Sequence, residues 1–249
     1  MGTKRIRLLE LLETRFPETG KKELHAMTVC GEVYVDGERI RDPGHMTDPR
    51  AEVTVNRSPY VSRGGIKLEK ALDTWSIPVE GKVFLDAGSS TGGFTDCLLK
   101  HGAETVHSVD VGYNQIDYSL RRDSRVILNE RTNLMDVTGL DPPPHAATAD
   151  LSFRSIVTAA AKLLELTLEG WAIVLIKPQF EYAARPRTGA GDFGGVIDEP
   201  EILAEILADT TAALESRSIP VARLLESPIR GRKGNREFLA LIGRDPARD

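Results

Sequence analysis

The chain has 249 residues, 41% apolar and 28% charged, with a formal net charge of −5. That balance belongs to a soluble globular protein and sets aside collagenous, low-complexity and disulfide-stapled classes. With no apolar run of about eighteen residues, no transmembrane helix is expected. Cys30 and Cys97 fall in different candidate domains and read as free thiols of a reducing compartment, and none of the five histidines pairs with a cysteine at ligand spacing, so no structural zinc is expected. The first residues, M-G-T-K-R-I-R-L-L-E-L-L-E, meet acids at Glu10 and Glu13 before any signal-peptide core can form, so the reading is cytoplasmic.

Residues 6–15 carry a helical period ended by Pro17. Thr19 is a candidate cap for a second helix bearing Leu24, Met27 and Val29 and closed by Gly31. Residues 32–36 alternate as a strand, Asp36-Gly37 signals a hairpin, and a further strand is expected at 52–56. Residues 1–57 therefore read as a small α+β module, with ten basic and ten acidic side chains. Residues 58–62 read as a linker and 63–249 as a second domain.

From residue 63 the pattern changes. A helix at 63–76 leads into strands expected at 82–86, 105–110, 125–129, 146–150, 171–177, 220–226 and 236–242. Helices are expected near 92–100, 116–122, 154–166 and 199–217. Such alternation predicts an α/β fold with a doubly wound, mostly parallel sheet. The loop S-P-I-R-G-R-K-G-N is too short for a parallel crossover, so the last strand should run antiparallel. This six-plus-one arrangement resembles the usual plan of Rossmann-like methyltransferases. The glycine-rich segment 178–198 is long for a structureless loop, which usually marks function or mobility.

The run V-F-L-D-A-G-S-S-T-G-G-F at 83–94 is an apolar strand ending in an acid, a turn of small residues and a helix start, which is how a nucleotide-like ligand is held at a strand's carboxyl end. No Gly-Lys-Ser/Thr follows, and the spacing is not G-x-G-x-x-G. An acid before the first glycine and no lysine for phosphates fit S-adenosylmethionine, a nucleoside with a sulfonium and an amino acid end.

Four polar residues stand at or beside strand ends on the same sheet edge: Asp150 in A-T-A-D-L-S-F, Lys177 in V-L-I-K-P-Q-F-E, Glu237 in G-N-R-E-F-L, and Lys67 on the helix before the first strand. A lysine directly after an apolar strand is partly buried and needs a partner, and Asp150 is the candidate. Two lysines and two acids suit deprotonation of a weakly acidic hydroxyl, because closely held cations give up protons more readily. Basic clusters occur at Arg57, Arg63, Lys67 and Lys70, at Arg121, Arg122, Arg125 and Arg131, and at Arg230, Arg232, Lys233 and Arg236.

The runs Y-V-S-R-G-G-I-K-L-E-K-A-L (60–72), D-A-G-S-S-T-G-G-F-T-D-C-L-L (86–99), V-D-V-G-Y (109–113), E-R-T-N (130–133), D-L-S-F (150–153), K-P-Q-F-E (177–181) and S-P-I-R-G-R-K-G-N-R-E-F-L (227–239) together resemble the TlyA group of FtsJ-like ribose 2′-O-methyltransferases, often labelled haemolysin A. The resemblance spans about residues 4–243. It implies a catalytic tetrad at Lys67, Asp150, Lys177 and Glu237. It implies that Asp86, Gly88, Ser89, Ser90, Thr91, Gly92, Gly93 and Phe94 cradle the methionine end of S-adenosylmethionine. Asp110 is then the acceptor for the ribose hydroxyls, and Asn133 and Leu134 border the adenine. It further implies that residues 1–57 are an RNA-binding domain of the ribosomal protein S-four type, and that Arg57, Arg63, Arg230, Arg232 and Lys233 hold phosphates of ribosomal RNA or a ribosomal subunit. The expected reaction places a methyl group on a ribose 2′-hydroxyl, cytidine being the expected nucleotide. The sequence departs from the group's commonest pattern at Arg154, at Asp117-Tyr118 and at residues 134–136. Other readings are a membrane-lytic haemolysin, against which the lack of a signal peptide, spanning segment or long apolar helix argues, and a ribosome-binding protein with a vestigial cofactor pocket.

Overall fold

In the computed structural model the chain divides into two compact units, residues 1–59 and 60–249. Residues 5–56, 58–152, 155–184, 196–231 and 234–248 are described. Arg57, Arg154, Arg232, Lys233 and most of the glycine-rich segment, 185–195, lie outside the described residues.

The first unit runs β1 (Ile6–Arg7), α1 (Leu8–Arg15), α2 (Lys21–Cys30), β2 (Val33–Val35), β3 (Glu38–Ile40), β4 (Met46–Thr47) and β5 (Val53–Val55). Strands β3-β2-β5 form one antiparallel sheet and β1-β4 another. Ile6 and Arg7 pair with Thr47 and Met46, so the first helix begins two residues later than its periodicity predicts. Thr19 does not cap α2: its amide closes a turn onto the Phe16 carbonyl at 3.0 Å, and the helix starts after Gly20. Gly31 closes α2 at φ 75° as expected. Asp36 and Gly37, at φ 49° and 82°, make the hairpin turn between β2 and β3. The α1 and α2 side chains Leu8, Leu12, Leu24 and Met27 cover Val33, Val35 and Ile40.

The second unit runs α3 (Gly64–Trp75), β6 (Val83–Ala87), α4 (Gly93–Lys100), β7 (Thr105–Val109), α5 (Tyr118–Arg121), β8 (Val126–Asn129), β9 (Ala146–Ala149), α6 (Ile156–Glu165), β10 (Trp171–Ile176), α7 (Pro178–Ala183), α8 (Pro200–Glu215), β11 (Val221–Glu226) and β12 (Phe238–Gly243), with a 3-10 turn at Leu134–Asp136. Its seven strands lie in the order β11-β12-β10-β9-β6-β7-β8. All described ladders are parallel except those of β12, antiparallel to both β10 and β11. This is the expected mostly parallel sheet with its last strand reversed.

Strands β6, β9, β10 and β12 are buried along their full length because helices cover both faces, which explains sequences that are apolar except for Asp86 in β6 and Thr148 in β9. One face packs Leu85, Ala149, Val174, Ile176 and Ile242 against α6 and α8. The other packs Phe84, Trp171, Ile173 and Leu239 against Leu68, Leu72 and Trp75 of α3 and Leu98 of α4. Phe84 and Trp171 meet edge to face at 5.9 Å.

The chain leaves β6 toward β7 and β8 on one side, then returns to β9 on the other. That reversal opens a crevice beyond the carboxyl ends of β6 and β9. Gly88 lies at its floor with φ 79°, and a Cβ there would stand 2.7 Å from the Asp150 carbonyl oxygen. Beneath, Asp86 is fully buried, accepting from Thr95 Oγ1 at 2.6 Å and Thr148 Oγ1 at 3.1 Å. Burial pushes its pKa up to about 7, and the two threonine hydrogen bonds only partly oppose that rise.

Two outcomes follow from this floor. Gly88→Ala combines a strained φ with a backbone collision and should cost about 2 kcal/mol or more, lowering Tm by roughly 4–8 °C in thermal melts. For Asp86 the folded pKa is raised, so the folded state holds a proton that the unfolded chain has already released. Its contribution is full below pH about 4 and lost as pH rises to about 7, up to about 4 kcal/mol in all. Melting of Asp86→Asn should therefore lack the part of the wild-type stability loss between pH 4 and 8 that Asp86 causes; parallel curves would remove this assignment.

Candidate active site

The crevice widens into a cleft of about 870 Å³. Its walls come from the α3 start (Ser62, Arg63, Gly64 and Lys67), the glycine turn after β6, the turn after β9 (Asp150 and Ser152), the start of α7 (Lys177, Gln179 and Phe180) and the β11–β12 loop (Ile229, Arg230, Gly231, Asn235 and Glu237).

Two ion pairs face this cleft, one buried and one half-buried. Lys67 lies one turn into α3, beside Leu68, and its Nζ donates to Glu237 Oε2 at 2.6 Å, with 11% and 5% of the two side chains exposed. Lys177 caps α7, whose first residue is Pro178; its Nζ stands 2.6 Å from Asp150 Oδ1 and donates to Ser152 Oγ at 3.1 Å. Asp150 Oδ1 is shielded from solvent, and Lys177 Nζ is its charged partner. Glu237 holds its place because Gly231, in the loop above, has no Cβ to collide with its carboxylate.

The structure thus brings Lys67, Asp150, Lys177 and Glu237 to one cleft, together with Gly88, Ser89, Ser90, Thr91, Gly93 and Phe94. Arg63 and Arg230 also line it, and Arg230 pairs with Asp198 at 3.0 Å. Gly92 turns the chain into α4 at φ 93°, where a Cβ would run into Leu120. The other expected contacts are placed differently. Asp86 lies beneath the glycine turn, its oxygens held by threonines, and does not line the cleft. Leu134 is 6% exposed and packs into the core, and Asn133 caps the 3-10 turn, its side chain accepting from the Met135 amide at 3.2 Å. Beside them the apolar side chains that reach the surface are Met135 and, next to Asp110, Val111.

Asp110 lines a separate small pocket with Ser90, Ser108 and Gln115. Its carboxylate accepts from the Ser90 amide at 2.8 Å and the Gly112 amide at 2.6 Å. Ser108 Oγ is buried there without a partner.

Sequence reasoning passed over several residues. Ser152, Gln179 and Asn235 line the cleft. Glu181, buried in α7, accepts from Ser155 Oγ at 2.5 Å and from the Ile156 amide at 2.9 Å, so it ties the turn that carries Asp150 to the helix that carries Lys177. Burial raises its pKa. The neighbouring signal was K-P-Q-F-E itself, in which two further polar residues follow the lysine within a single helical turn.

The chain is 40% identical over 246 residues to an rRNA methyltransferase, provisionally so named, of Bacillus subtilis, covering 96% of this chain and 86% of the relative. It is 36% identical over 215 residues to the 16S/23S rRNA (cytidine-2′-O)-methyltransferase TlyA of Mycobacterium tuberculosis, covering 84% of this chain and 79% of that one. A solved structure from Streptococcus thermophilus, provisionally named a hemolysin, superposes with TM-score 0.71 at 33% identity, covering 98% and 90% of the two chains. The family model of FtsJ-like methyltransferases matches residues 60–244, the unit that holds both ion pairs, and the chain belongs to that family.

Proposed function

We propose that this protein methylates a ribose 2′-hydroxyl of ribosomal RNA, at cytidine, using S-adenosylmethionine as donor. The carrying observation is the pair of lysine–carboxylate contacts brought into one cleft.

The donor set suits that cofactor. Asp110 holds two amides, and each carboxylate oxygen keeps a lone pair for a ribose hydroxyl. Backbone amides at the start of α4 face the turn where an amino acid carboxylate would lie. The turn carries no lysine for phosphates. When bound, S-adenosylmethionine supplies an electrophilic methyl group.

The chain's own groups do the rest. Lys177 Nζ, once it has released a proton to solvent, takes the proton of the attacking hydroxyl and becomes the ammonium again, and Asp150 and Ser152 hold that nitrogen in place. Lys67, fixed by Glu237, sets the nucleotide and offsets negative charge on the ribose oxygen. Holding that oxygen in line with the methyl supplies much of the acceleration, up to about 7–11 kcal/mol for ideal proximity. The first unit serves as an RNA-binding domain of the ribosomal protein S-four type. Arg57, Arg63, Arg230, Arg232 and Lys233 bind phosphates.

The haemolysin name attached to relatives finds no membrane-crossing helix here: among the described residues none is long and apolar enough.

Lys177→Ala should lower methyl transfer to ribosomal RNA by about 10²- to 10⁴-fold while calorimetric binding of S-adenosylmethionine persists; undiminished transfer would remove Lys177 from the chemistry. Mapping 2′-O-methyls on ribosomal RNA with and without the protein tests the substrate, and identical maps reject it. Replacing Arg232 and Lys233 by alanine should flatten the salt dependence of RNA binding, by about 0.7–0.9 in log–log slope for each phosphate no longer neutralised.

A further inference from the structure

We propose that Glu181 is a positioning residue for the transfer: it clasps the turn at 150–155 to α7, so that Asp150 and Ser152 are held against Lys177 Nζ. The inference rests on the function proposed above. Glu181 is buried, and the cleft is lined by its neighbours Gln179, Phe180 and Ala183 and not by Glu181 itself. It therefore acts through other residues and touches no reacting atom.

The turn between β9 and α6 carries both partners of the Lys177 nitrogen. Its first residue is tied to the sheet, the Asp150 amide donating to the Ala87 carbonyl at 3.0 Å. Its far end runs into α6 and meets Glu181. There Oε2 accepts from Ser155 Oγ at 2.5 Å and Oε1 from the Ile156 amide at 2.9 Å. Glu181 stands one helical turn after Lys177, and its own amide donates to the Lys177 carbonyl at 3.2 Å. Turn and helix thus meet twice, at Lys177 with Asp150 and Ser152, and at Glu181 with Ser155 and Ile156. Two clasps fix both the distance and the angle between the segments, where one would leave a hinge.

Capping α6 does not by itself call for this acid. Ser155 already caps that helix, its Oγ accepting from the Val157 amide at 3.2 Å. A carboxyl group inside the fold is costly, and burial raises the Glu181 pKa while the Ser155 and Ile156 hydrogen bonds oppose the rise. Its neighbours on α7 pack by apolar contact: Pro178 is buried and Tyr182 lies against the core. What a carboxylate adds to such packing is direction, because a hydrogen bond weakens steeply as its angle departs from linear. Direction matters here, since misplacing a reacting group by about 1 Å can cost about a hundredfold in rate.

The test uses full-length protein, ribosomal RNA as methyl acceptor and a double-mutant cycle with Lys177. Glu181→Ala should lower kcat by about ten- to a hundredfold, with KM for RNA and calorimetric binding of S-adenosylmethionine within about twofold of wild type. Glu181→Gln, which keeps an acceptor for the Ile156 amide and a polar group for Ser155, should recover most of the rate. In a Lys177→Ala background the same Glu181→Ala change should cost less than about threefold, because the group it positions is gone. A fraction of unfolded protein would instead lower kcat by the same factor in both backgrounds. Equal losses in the two backgrounds overturn the inference. So does an unchanged kcat in Glu181→Ala, or a Glu181→Gln variant as slow as Glu181→Ala. If Glu181→Ala fails to fold, Ser155→Ala removes one half of the clasp and should show the same pattern at smaller size; an unchanged kcat there also overturns the inference. Wild-type protein that methylates no ribosomal RNA rejects the proposed function and this inference with it, whereas the other adverse outcomes reject this inference alone.

Discussion

The structure depends on how closely two strand ends meet where the chain reverses direction. The Asp150 amide donates to the Ala87 carbonyl at 3.0 Å, and the Gly88 amide to the Val109 carbonyl at 2.8 Å. Three strands are thereby laced together just where their side chains give way to loops. Only a residue without a Cβ fits at Gly88, since the Asp150 carbonyl occupies that space. The approach places the acid of one cleft pair directly beside the turn expected to hold a cofactor. Under the proposed function, donor and acceptor halves of the transfer site are then set by the sheet itself, whose spacing is far less variable than that of loops.

Electrostatics around this point are arranged in opposition. Lysines and acids in the cleft are matched, which is how charges survive with so little solvent around them. Directly beneath, among the described residues, Asp86 is met by the Thr95 and Thr148 hydroxyls and the Thr95 amide and by no salt-bridging cation, and burial raises its pKa to about 7. The nearby charge of Asp150 adds to burial in raising the Asp86 pKa, so the two carboxyl groups are electrostatically linked across the turn.

The sheet was largely legible because strands buried on both faces must be apolar throughout, and six-residue runs such as W-A-I-V-L-I have few other readings. Asp150 and Lys177 were legible because polar side chains directly after such runs stand out, and Glu237 because it opens the reversed last strand on the same sheet edge. Asp86 was not, because an acid at a strand end looks the same whether it faces a ligand or threonines below. The side that Asp86 takes is decided by Thr95 and Thr148, nine and sixty-two positions away. Leu134 and Met135 show the same limit: in a single 3-10 turn, one residue's shift exchanges the buried side chain for the exposed one. Thr19 had cap chemistry, yet Gly20 takes the cap position and Thr19 lies one residue outside it. Local patterns decide which residues are available; pairing at long range decides which are used.

Long-range pairing also bears on the partner. Two clusters that read as basic stripes are partly neutralised within the fold: Arg121 pairs with Glu130, Arg125 with Asp123 and Arg236 with Glu226. A count of arginines therefore overstates the field presented to a polyanion. Arg122 and Arg131 instead lie against the exposed rings of Tyr118 and Tyr113. For a chain whose net charge is −5, contact with RNA has to rest on local geometry: cations held where a phosphate must pass, around a cleft whose own charges are already balanced. Under the proposed function, affinity and chemistry are then separable. The loops around the cleft grip the backbone, and the matched pairs inside it act only on the one ribose that the sheet edge can reach.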